Sequence, residues 1–164
     1  MIIGNMNGVE EKNDQDIVIT GAIIGILADV VKLGVNYIMY LAGFTKVVFW
    51  QLVATRFLAK QYLFNPAAYF VGAVADITIT ASLGILFYIF IRLMGKRHLW
   101  IKAIGFAMFI WTVLFGTLLD QSIAEKLPQT ASAVIVTIVA HFCYGLGLWF
   151  FTWRFLRKTP VDLP

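Results

Sequence analysis

An apolar stretch at residues 17–44 carries a line of small and polar side chains through its centre. As an α-helix rising about 1.5 Å per residue, the stretch is long enough to cross a hydrocarbon core of about 30 Å. At about 100° per residue, one face of this helix collects Gly21, Gly25, Asp29, Lys32, Asn36, Tyr40 and Gly43. A polar group that faces lipid is costly, so this face must meet protein or trapped water. The stretch predicts a membrane helix whose polar face is turned inward.

The composition of the whole chain agrees with a membrane location. Hydrophobic residues make up 60% of the sequence and charged residues 13%, and the mean hydropathy is +0.83. Soluble domains have a much larger charged fraction. The length of 164 residues suits one domain. We therefore expect an all-α integral membrane protein with the lipid bilayer as its first partner.

The charges and the sulfur-containing residues exclude several classes of function. The net charge of +4 comes from basic residues that cluster beside apolar segments, which indicates membrane topology and not nucleic-acid binding. A single cysteine, Cys143, excludes an intrachain disulfide and a multi-cysteine metal site. The sequence contains no nucleotide-binding loop, no His or Cys metal cluster and no serine nucleophile signature. We expect no cofactor and no metal.

The hydropathy pattern predicts a four-helix bundle. Its spans are 17–44, 68–92, 99–121 and 130–155, within a single transmembrane domain at 17–158. Residues 1–16 form a polar, acidic tail that we expect to be loosely ordered and that lacks the basic start of a signal peptide. Residues 159–164 form a C-terminal tail.

The segment 45–64 is apolar and aromatic, but its charges leave no uncharged run long enough to span. These are Lys46, Arg56 and Lys60, with Gln51 between them. We predict an interfacial or re-entrant amphipathic helix that ends at Asn65-Pro66. The alternative is a fifth crossing with Arg56 buried.

Lysine and arginine predict the orientation. One basic cluster lies in the loop between the second and third spans, and the other follows the fourth span. The residues are Arg92, Lys96, Arg97, Lys102, Arg154, Arg157 and Lys158. Because basic loops stay in the cytoplasm, both termini are predicted to be cytoplasmic in the cell membrane.

Each of three aspartates in or beside the spans has a glycine four residues earlier. The pairs are Gly25 and Asp29, Gly72 and Asp76, and Gly116 and Asp120. Residues i and i+4 share a helix face, so the glycine lets a neighbouring backbone approach the carboxyl group. Gly21, Gly25, Gly72 and Gly116 are therefore predicted to lie at helix contacts. Asp120, at the end of its span, is expected to be a hydrated helix terminus.

The candidate residues for binding a ligand or an ion are Asp29, Lys32, Asn36, Asp76, Thr80 and His141. Intramembrane carboxylates are expensive, which makes a functional role the first hypothesis for Asp29 and Asp76. Asp29 and Lys32 lie three residues apart and can instead form a structural ion pair. His141 is a candidate for proton relay, with a hydrogen-bonded structural role as the alternative. His98 lies in a loop and cannot join it as a second haem ligand.

These residues predict a polar helix-bundle core that binds or conducts a cation, a proton or a small polar solute, in a monomer or a homo-oligomer. One alternative is a structural or assembly subunit of a larger membrane complex. Another is an intramembrane enzyme that uses Asp29 and Asp76. Lipoprotein signal peptidases also have paired intramembrane aspartates, but this chain lacks the Asn- and Gly-rich motifs around them. We therefore identify no family from the sequence and do not expect an enzyme.

Overall fold

The computed structural model describes the backbone of residues 7–158 and the side chains of residues 17–157. Helices account for 83% of the structure, and no strand occurs within residues 7–158. The α-helices are α1 (Asn7–Leu41), α2 (Phe49–Ala54), α3 (Pro66–Met94), α4 (Leu99–Val113), α5 (Asp120–Lys126) and α6 (Ala131–Lys158). A 3₁₀ turn at Lys60–Tyr62 follows α2, and a π-helical turn at Leu114–Leu118 continues α4.

Four of these segments are long and apolar enough to cross a membrane. They are Ile17–Leu41, Pro66–Met94, Leu99–Leu118 and Ala131–Arg157. Four such segments were predicted, and their ends lie within three residues of the predicted ends. The predictions that fall on residues 1–6 and 159–164 lie outside the described residues.

The first helix differs from the prediction at its start. It begins at Asn7, ten residues before the predicted start of the span, and runs without interruption to Leu41, while the loose order expected of residues 1–16 stays a prediction. Glu10, Glu11 and Lys12 have favourable helix propensities, and no proline interrupts the segment. The polar tail therefore extends a helix that the apolar stretch has already nucleated.

Helix α1 lies at the centre of the arrangement. It packs against α3 on one side and α6 on the other, and α6 in turn packs against α4. Helices α3 and α4 have few contacts, although only a short loop joins them. One of these contacts is the ring pair Phe87 and Phe106, whose centroids lie 5.2 Å apart. The bundle is thus held together by the contacts of α1 and α6, and a gap lies between α3 and α4.

Glycines make the crossing of α1 and α3 unusually close. A Cβ atom placed on Gly21 would lie 2.6 Å from Ile85 Cα, and one on Gly25 would lie 2.9 Å from Gly84 Cα. The same holds on α3, because a Cβ placed on Gly84 would overlap the backbone of Gly21 and Gly25. Small residues allow this backbone approach in helix pairs of membrane proteins. The contact fixes which face of α1 meets α3.

The segment 45–64 does not form the single amphipathic helix that was predicted. Its helical part, α2, has only six residues and buries Phe49, Leu52 and Val53. Two contacts distant in sequence hold α2 in place: the Phe49 N–H donates to Asn36 Oδ1 at 2.9 Å, and a Cβ on Gly72 would overlap the Trp50 backbone. Helix α2 is therefore packed into the fold, whereas most of the residues that follow it, 56–64, are exposed.

Lys126 and Pro66 also have structural roles at this end of the molecule. Lys126 on α5 donates to the carbonyl oxygens of Thr55, at 2.6 Å, and Leu58, at 3.1 Å, which satisfies acceptors beyond the end of α2. Pro66 was predicted to end a preceding helix. It instead occupies the first turn of α3. Proline suits this position because its missing N–H has no intrahelical partner there.

Candidate functional site

A single ammonium group lies between two carboxylates in the middle of the bundle. Lys32 Nζ is 2.6 Å from Asp29 Oδ1 on the same helix and 2.7 Å from Asp76 Oδ1 on α3. All three side chains are buried, with relative exposures of 1% for Asp29, 2% for Lys32 and 3% for Asp76. We call these three residues the Lys32 cluster. It joins α1 to α3 through one shared cation.

The glycines explain why the cluster can form. Gly25 precedes Asp29 by one turn and lies against Gly84 and the Thr80 carbonyl of α3. Gly72 precedes Asp76 by one turn and lies against the backbone of α2. At Gly25 no side chain separates α1 from α3, so carboxyl groups of both helices come within reach of the same ammonium group, whereas Gly72 lets α2 approach α3 beside the cluster.

Lys32, Asp76 and His141 lie at a similar depth in α1, α3 and α6. Lys32 is nine residues from Leu41, the end of α1, and Asp76 is ten residues from Pro66, the start of α3. His141 is ten residues from Ala131, the start of α6. These three helix ends lie on the same side of the bundle, where Ser132 Oγ donates to the Phe44 carbonyl at 2.7 Å. At 1.5 Å per residue each group lies roughly 15 Å from that side, which is half of a hydrocarbon core.

The charges of the Lys32 cluster do not balance. With all three groups ionised, two carboxylates face one ammonium and leave one net negative charge. Asp76 Oδ2 is buried, and it has no hydrogen-bond partner within the part of the chain that the structure describes. A buried charge or acceptor without a partner costs free energy of the order of 1–3 kcal/mol or more. The arrangement is therefore complete only when a proton or another cation joins it.

Two aromatic rings lie beside the ammonium group of Lys32. Lys32 Nζ lies 4.0 Å from the centroid of the Phe49 ring, as in a cation–π contact, and 5.9 Å from that of Tyr144. The Phe49 ring comes from α2, which places the short helix directly over the Lys32 cluster.

His141 is the other buried ionisable group beside the cluster. Its relative exposure is 3%, and its ring lies between Phe49 and Phe115, with centroid distances of 5.6 and 5.5 Å. His141 Nδ1 is 2.8 Å from the carbonyl oxygen of Thr137. Because a carbonyl only accepts, Nδ1 carries the proton, and in the neutral ring Nε2 remains an acceptor.

A cavity of about 200 Å³ connects the Lys32 cluster with the open side of the bundle. Lys32, Asp76, His141 and Tyr144 line it at its buried polar end. The remaining wall is mostly aliphatic and aromatic and includes Ile79 and Leu83 of α3, Ile110 of α4, and Leu114 and Leu118 of the π turn. Ile79 and Leu118 are exposed, at 37% and 56%. The cavity thus runs from an apolar rim to a charged end.

The π-helical turn shapes this cavity. An uninterrupted third span was predicted to residue 121, but the helix widens at Leu114–Leu118 before it ends. Such turns insert an extra residue and often occur at functional sites. Here the turn brings Phe115 against the His141 ring and leaves Gly116 without a packing neighbour. No described atom lies within 4 Å of a Cβ placed on Gly116, so its predicted role in helix packing has no counterpart.

The structure brings four of the predicted site residues together. The other two, Asn36 and Thr80, make hydrogen bonds to the backbone instead. Asp29, Lys32, Asp76 and His141 surround or adjoin the polar end of the cavity. Asn36 instead holds α2 through the Phe49 N–H. Thr80 lines the cavity, but its hydroxyl donates back to the Asp76 carbonyl at 2.8 Å. Both of these residues thus have structural partners.

Phe49 and Phe115 were missed in the sequence. Each lies in an irregular part of the fold, the first in α2 and the second in the π turn. Aromatic residues are frequent throughout the chain, with 14 Phe, so no local pattern distinguishes these two. Only the tertiary structure places them beside Lys32 and His141.

No protein-family model matches the chain, and neither a curated protein nor a solved structure matches it. Within the described residues, no three His, Cys, Asp or Glu side chains come together in a group that could hold a metal ion. The groups available for chemistry at the site are the Lys32 cluster and His141 at the buried end of the cavity.

Proposed function

We propose that the chain is an integral membrane protein with four spans. The proposal is supported by the four long apolar helices and by the many large apolar side chains that face outward from the bundle. Leu93 is 80% exposed and Phe70 is 72% exposed, which water would not favour but a lipid environment would. Helix α2 then lies between the first two spans as a short re-entrant element packed against the Lys32 cluster.

In this proposal both termini and the loop between α3 and α4 lie in the cytoplasm. Ile17, the start of the first apolar segment, packs in the same apolar cluster as Leu99 of α4 and Phe155 of α6. The described ends of the chain therefore share one side with the basic loop. The positive-inside rule assigns that side to the cytoplasm, and α2 and α5 lie toward the outer side.

The function that the site supports best is the binding of one exchangeable proton or monovalent cation in transport across the membrane. The observation that carries this proposal is made at Asp76, which lines the cavity and whose Oδ2 is buried without a hydrogen-bond partner in the described part of the chain. A purely structural ion pair needs one carboxylate for one lysine, whereas this cluster has two. The second carboxylate is costly in the apolar interior, and a proton or cation that enters through the cavity neutralises it.

Two alternatives differ in their support. Asp29 and Asp76 both pair with Lys32 and are almost fully buried, unlike a pair of aspartates that activates water, so we propose no hydrolytic reaction. An assembly role is favoured by one observation: within Leu99–Leu118, which is α4 with its π turn, only 11% of the most apolar stretch is buried in the fold. That face would suit a second copy or a foreign subunit, and stoichiometry in mild detergent distinguishes the two.

Proton flux into liposomes that contain the purified protein tests the transport proposal. We expect a flux that exceeds that of empty liposomes and that Asp76→Asn abolishes. Asp120→Asn is the matched control, because the same chemical change is made at an exposed carboxylate at the start of α5. Equal fluxes of protons and monovalent metal cations in wild type and Asp76→Asn would reject the transport proposal and leave the assembly role ahead.

A further inference from the structure

We infer that the cavity between α3 and α4 binds an amphipathic monocation, with its ammonium head at Asp76 and its hydrocarbon tail between the two helices. The inference rests on the proposed cation site and names the ligand class that the site takes. It depends on three separate features: the charge at the buried end, the hydrogen-bonding groups there, and the apolar route by which the ligand enters.

The charge at the buried end selects a monocation. Asp29 and Asp76 together exceed Lys32 by one negative charge, and Lys32 Nζ is already held between their Oδ1 atoms. One added positive charge completes the neutralisation, and a dication would overshoot it. An anionic head would meet two carboxylates in an apolar interior, which is strongly unfavourable.

The polar groups that remain available are acceptors. Asp76 Oδ2 has no hydrogen-bond partner within residues 17–157. His141 lines the same cavity, and its Nε2 accepts when Nδ1 donates to Thr137. A primary ammonium brings donors only, so it suits both groups. A hydroxyl head would satisfy one acceptor but would leave the excess charge.

The walls of the cavity select a tail. Between the exposed Ile79 and Leu118 at the rim and the buried Asp76, the lining includes Leu83, Ile110 and Leu114. An engineered apolar cavity of about 150 Å³ takes a benzene-sized ligand, so about 200 Å³ suits a tail of roughly six to eight carbons. An inorganic cation or a methylammonium ion would leave this apolar surface without a partner.

The position of the other charge on the lining indicates the route of entry. Arg56 lies beyond α2 on the outer side of the cavity and is exposed. Its positive charge opposes a cation that approaches past α2. The gap between α3 and α4 has no charged side chain among its lining residues apart from those at the buried end. The ligand therefore enters sideways, from the apolar surroundings of the bundle.

The test measures binding of n-octylamine to the full chain in nanodiscs of neutral lipid, followed by tryptophan fluorescence and calorimetry at neutral pH. We expect saturable binding of octylamine, with octanol and octanoate weaker by about tenfold or more. Asp76→Asn should weaken octylamine binding by a similar factor. Octanol binding as tightly as octylamine, or octylamine binding that is unchanged in Asp76→Asn, would overturn the inference.

A pair of cavity variants keeps the inference testable if Asp76→Asn fails to fold. Leu83→Phe fills the cavity from α3, whereas Leu86→Phe makes the same change at a side chain that is 58% exposed and does not line it. We expect octylamine binding to be lost in Leu83→Phe and kept in Leu86→Phe. Equal binding by the two variants would place the ligand elsewhere and reject the site.

The outcomes also separate the inference from the proposed function. Proton flux that depends on Asp76, in a protein that does not bind octylamine, would reject the amphipathic ligand and leave the transport proposal standing. Octylamine binding that depends on both Asp76 and Leu83, without any proton or cation flux, would support the ligand site and reject transport. When both proposals hold, octylamine and protons compete for the same site. Octylamine should then inhibit the part of the proton flux that depends on Asp76, measured as the difference between wild-type and Asp76→Asn liposomes at the same octylamine concentration.

Discussion

Lys32 on α1 and Asp76 on α3 form an ion pair of 2.7 Å, although 44 residues separate them in the chain. Asp29 lies at 2.6 Å from the same ammonium group, so one lysine serves two carboxylates. Lys32 is therefore the only positive charge that compensates the two carboxylates within the cluster. Loss of either aspartate leaves a balanced pair, whereas loss of the lysine leaves two adjacent negative charges in an apolar interior.

We therefore predict that Lys32→Met is the most destabilising single change in the cluster. Removing one partner of a buried ion pair commonly costs about 3 to 5 kcal/mol, because the remaining charge is uncompensated. Asp29→Asn should cost much less, since Lys32 keeps Asp76. Thermal unfolding in detergent, followed by the loss of monodisperse protein, measures the order of the variants.

The neutral triple variant is the control for this prediction. Asp29→Asn, Lys32→Met and Asp76→Asn together remove every charge of the cluster and keep its approximate volume. The triple variant should recover most of the stability that Lys32→Met loses, while lacking any ion-dependent flux. Greater loss of stability in Asp29→Asn than in Lys32→Met would contradict the shared-lysine arrangement.

The glycines at the α1–α3 crossing give a prediction about packing. A Cβ on Gly25 would lie 2.9 Å from Gly84 Cα and even closer to the Thr80 carbonyl oxygen, whereas no described atom lies within 4 Å of a Cβ on Gly34. Gly25→Ala should destabilise the protein by about 1 to 3 kcal/mol, because overpacking here pushes two helix backbones apart. Gly34→Ala is the matched control and should be neutral or slightly stabilising, because alanine favours helix. Equal melting temperatures for the two variants would remove this account of the crossing.

Much of the helical architecture follows from local sequence. Four long apolar runs with few charges predict four membrane-length helices, and they are found within three residues of the predicted ends. The spacing of Asp29 and Lys32 likewise places both groups on one face of α1. These features depend on residues that are near each other in the chain, so a pattern along the sequence contains them.

The partners across helices do not follow from sequence in the same way. The pattern on α1 shows which face is polar but not that Asp76 completes the ion pair, because the order in which helices pack is set by contacts between distant segments. Helix α2 is the clearest case. Its first N–H depends on Asn36, and its backbone rests on Gly72, so neither its short length nor its burial can be predicted from residues 45–64 alone.

The orientation of the chain gives a prediction that labelling can test. In a Cys143→Ser background, a cysteine at position 97, in the loop between α3 and α4, should be protected from a membrane-impermeant thiol reagent in intact cells. A cysteine at position 60, in the 3₁₀ turn after α2, should be labelled. Both positions are exposed in the fold, so burial within the protein does not explain a difference. Labelling at position 97 and protection at position 60 would reverse the proposed topology.

The last prediction concerns the attachment of α2, which places Phe49 over Lys32. Asn36 is 2% exposed, and its Oδ1 accepts from the Phe49 N–H at 2.9 Å. Asn36→Ala leaves that buried donor without a partner, which costs about 1 to 3 kcal/mol. We expect a lower melting temperature and also faster modification of a cysteine placed at position 53, a buried position in α2, because α2 separates from the bundle before the rest unfolds.

Asn65→Ala is the matched control for this change. Asn65 precedes α3, and its side chain makes no capping hydrogen bond there, so its removal should leave both the melting temperature and the labelling rate at position 53 close to wild type. If Asn36→Ala lowers the melting temperature without faster labelling, α2 stays attached through Gly72 and Lys126 and the asparagine stabilises only α1. If neither quantity changes, the hydrogen bond from Phe49 does not hold α2, and the enclosure of Lys32 must depend on the Phe49 ring alone.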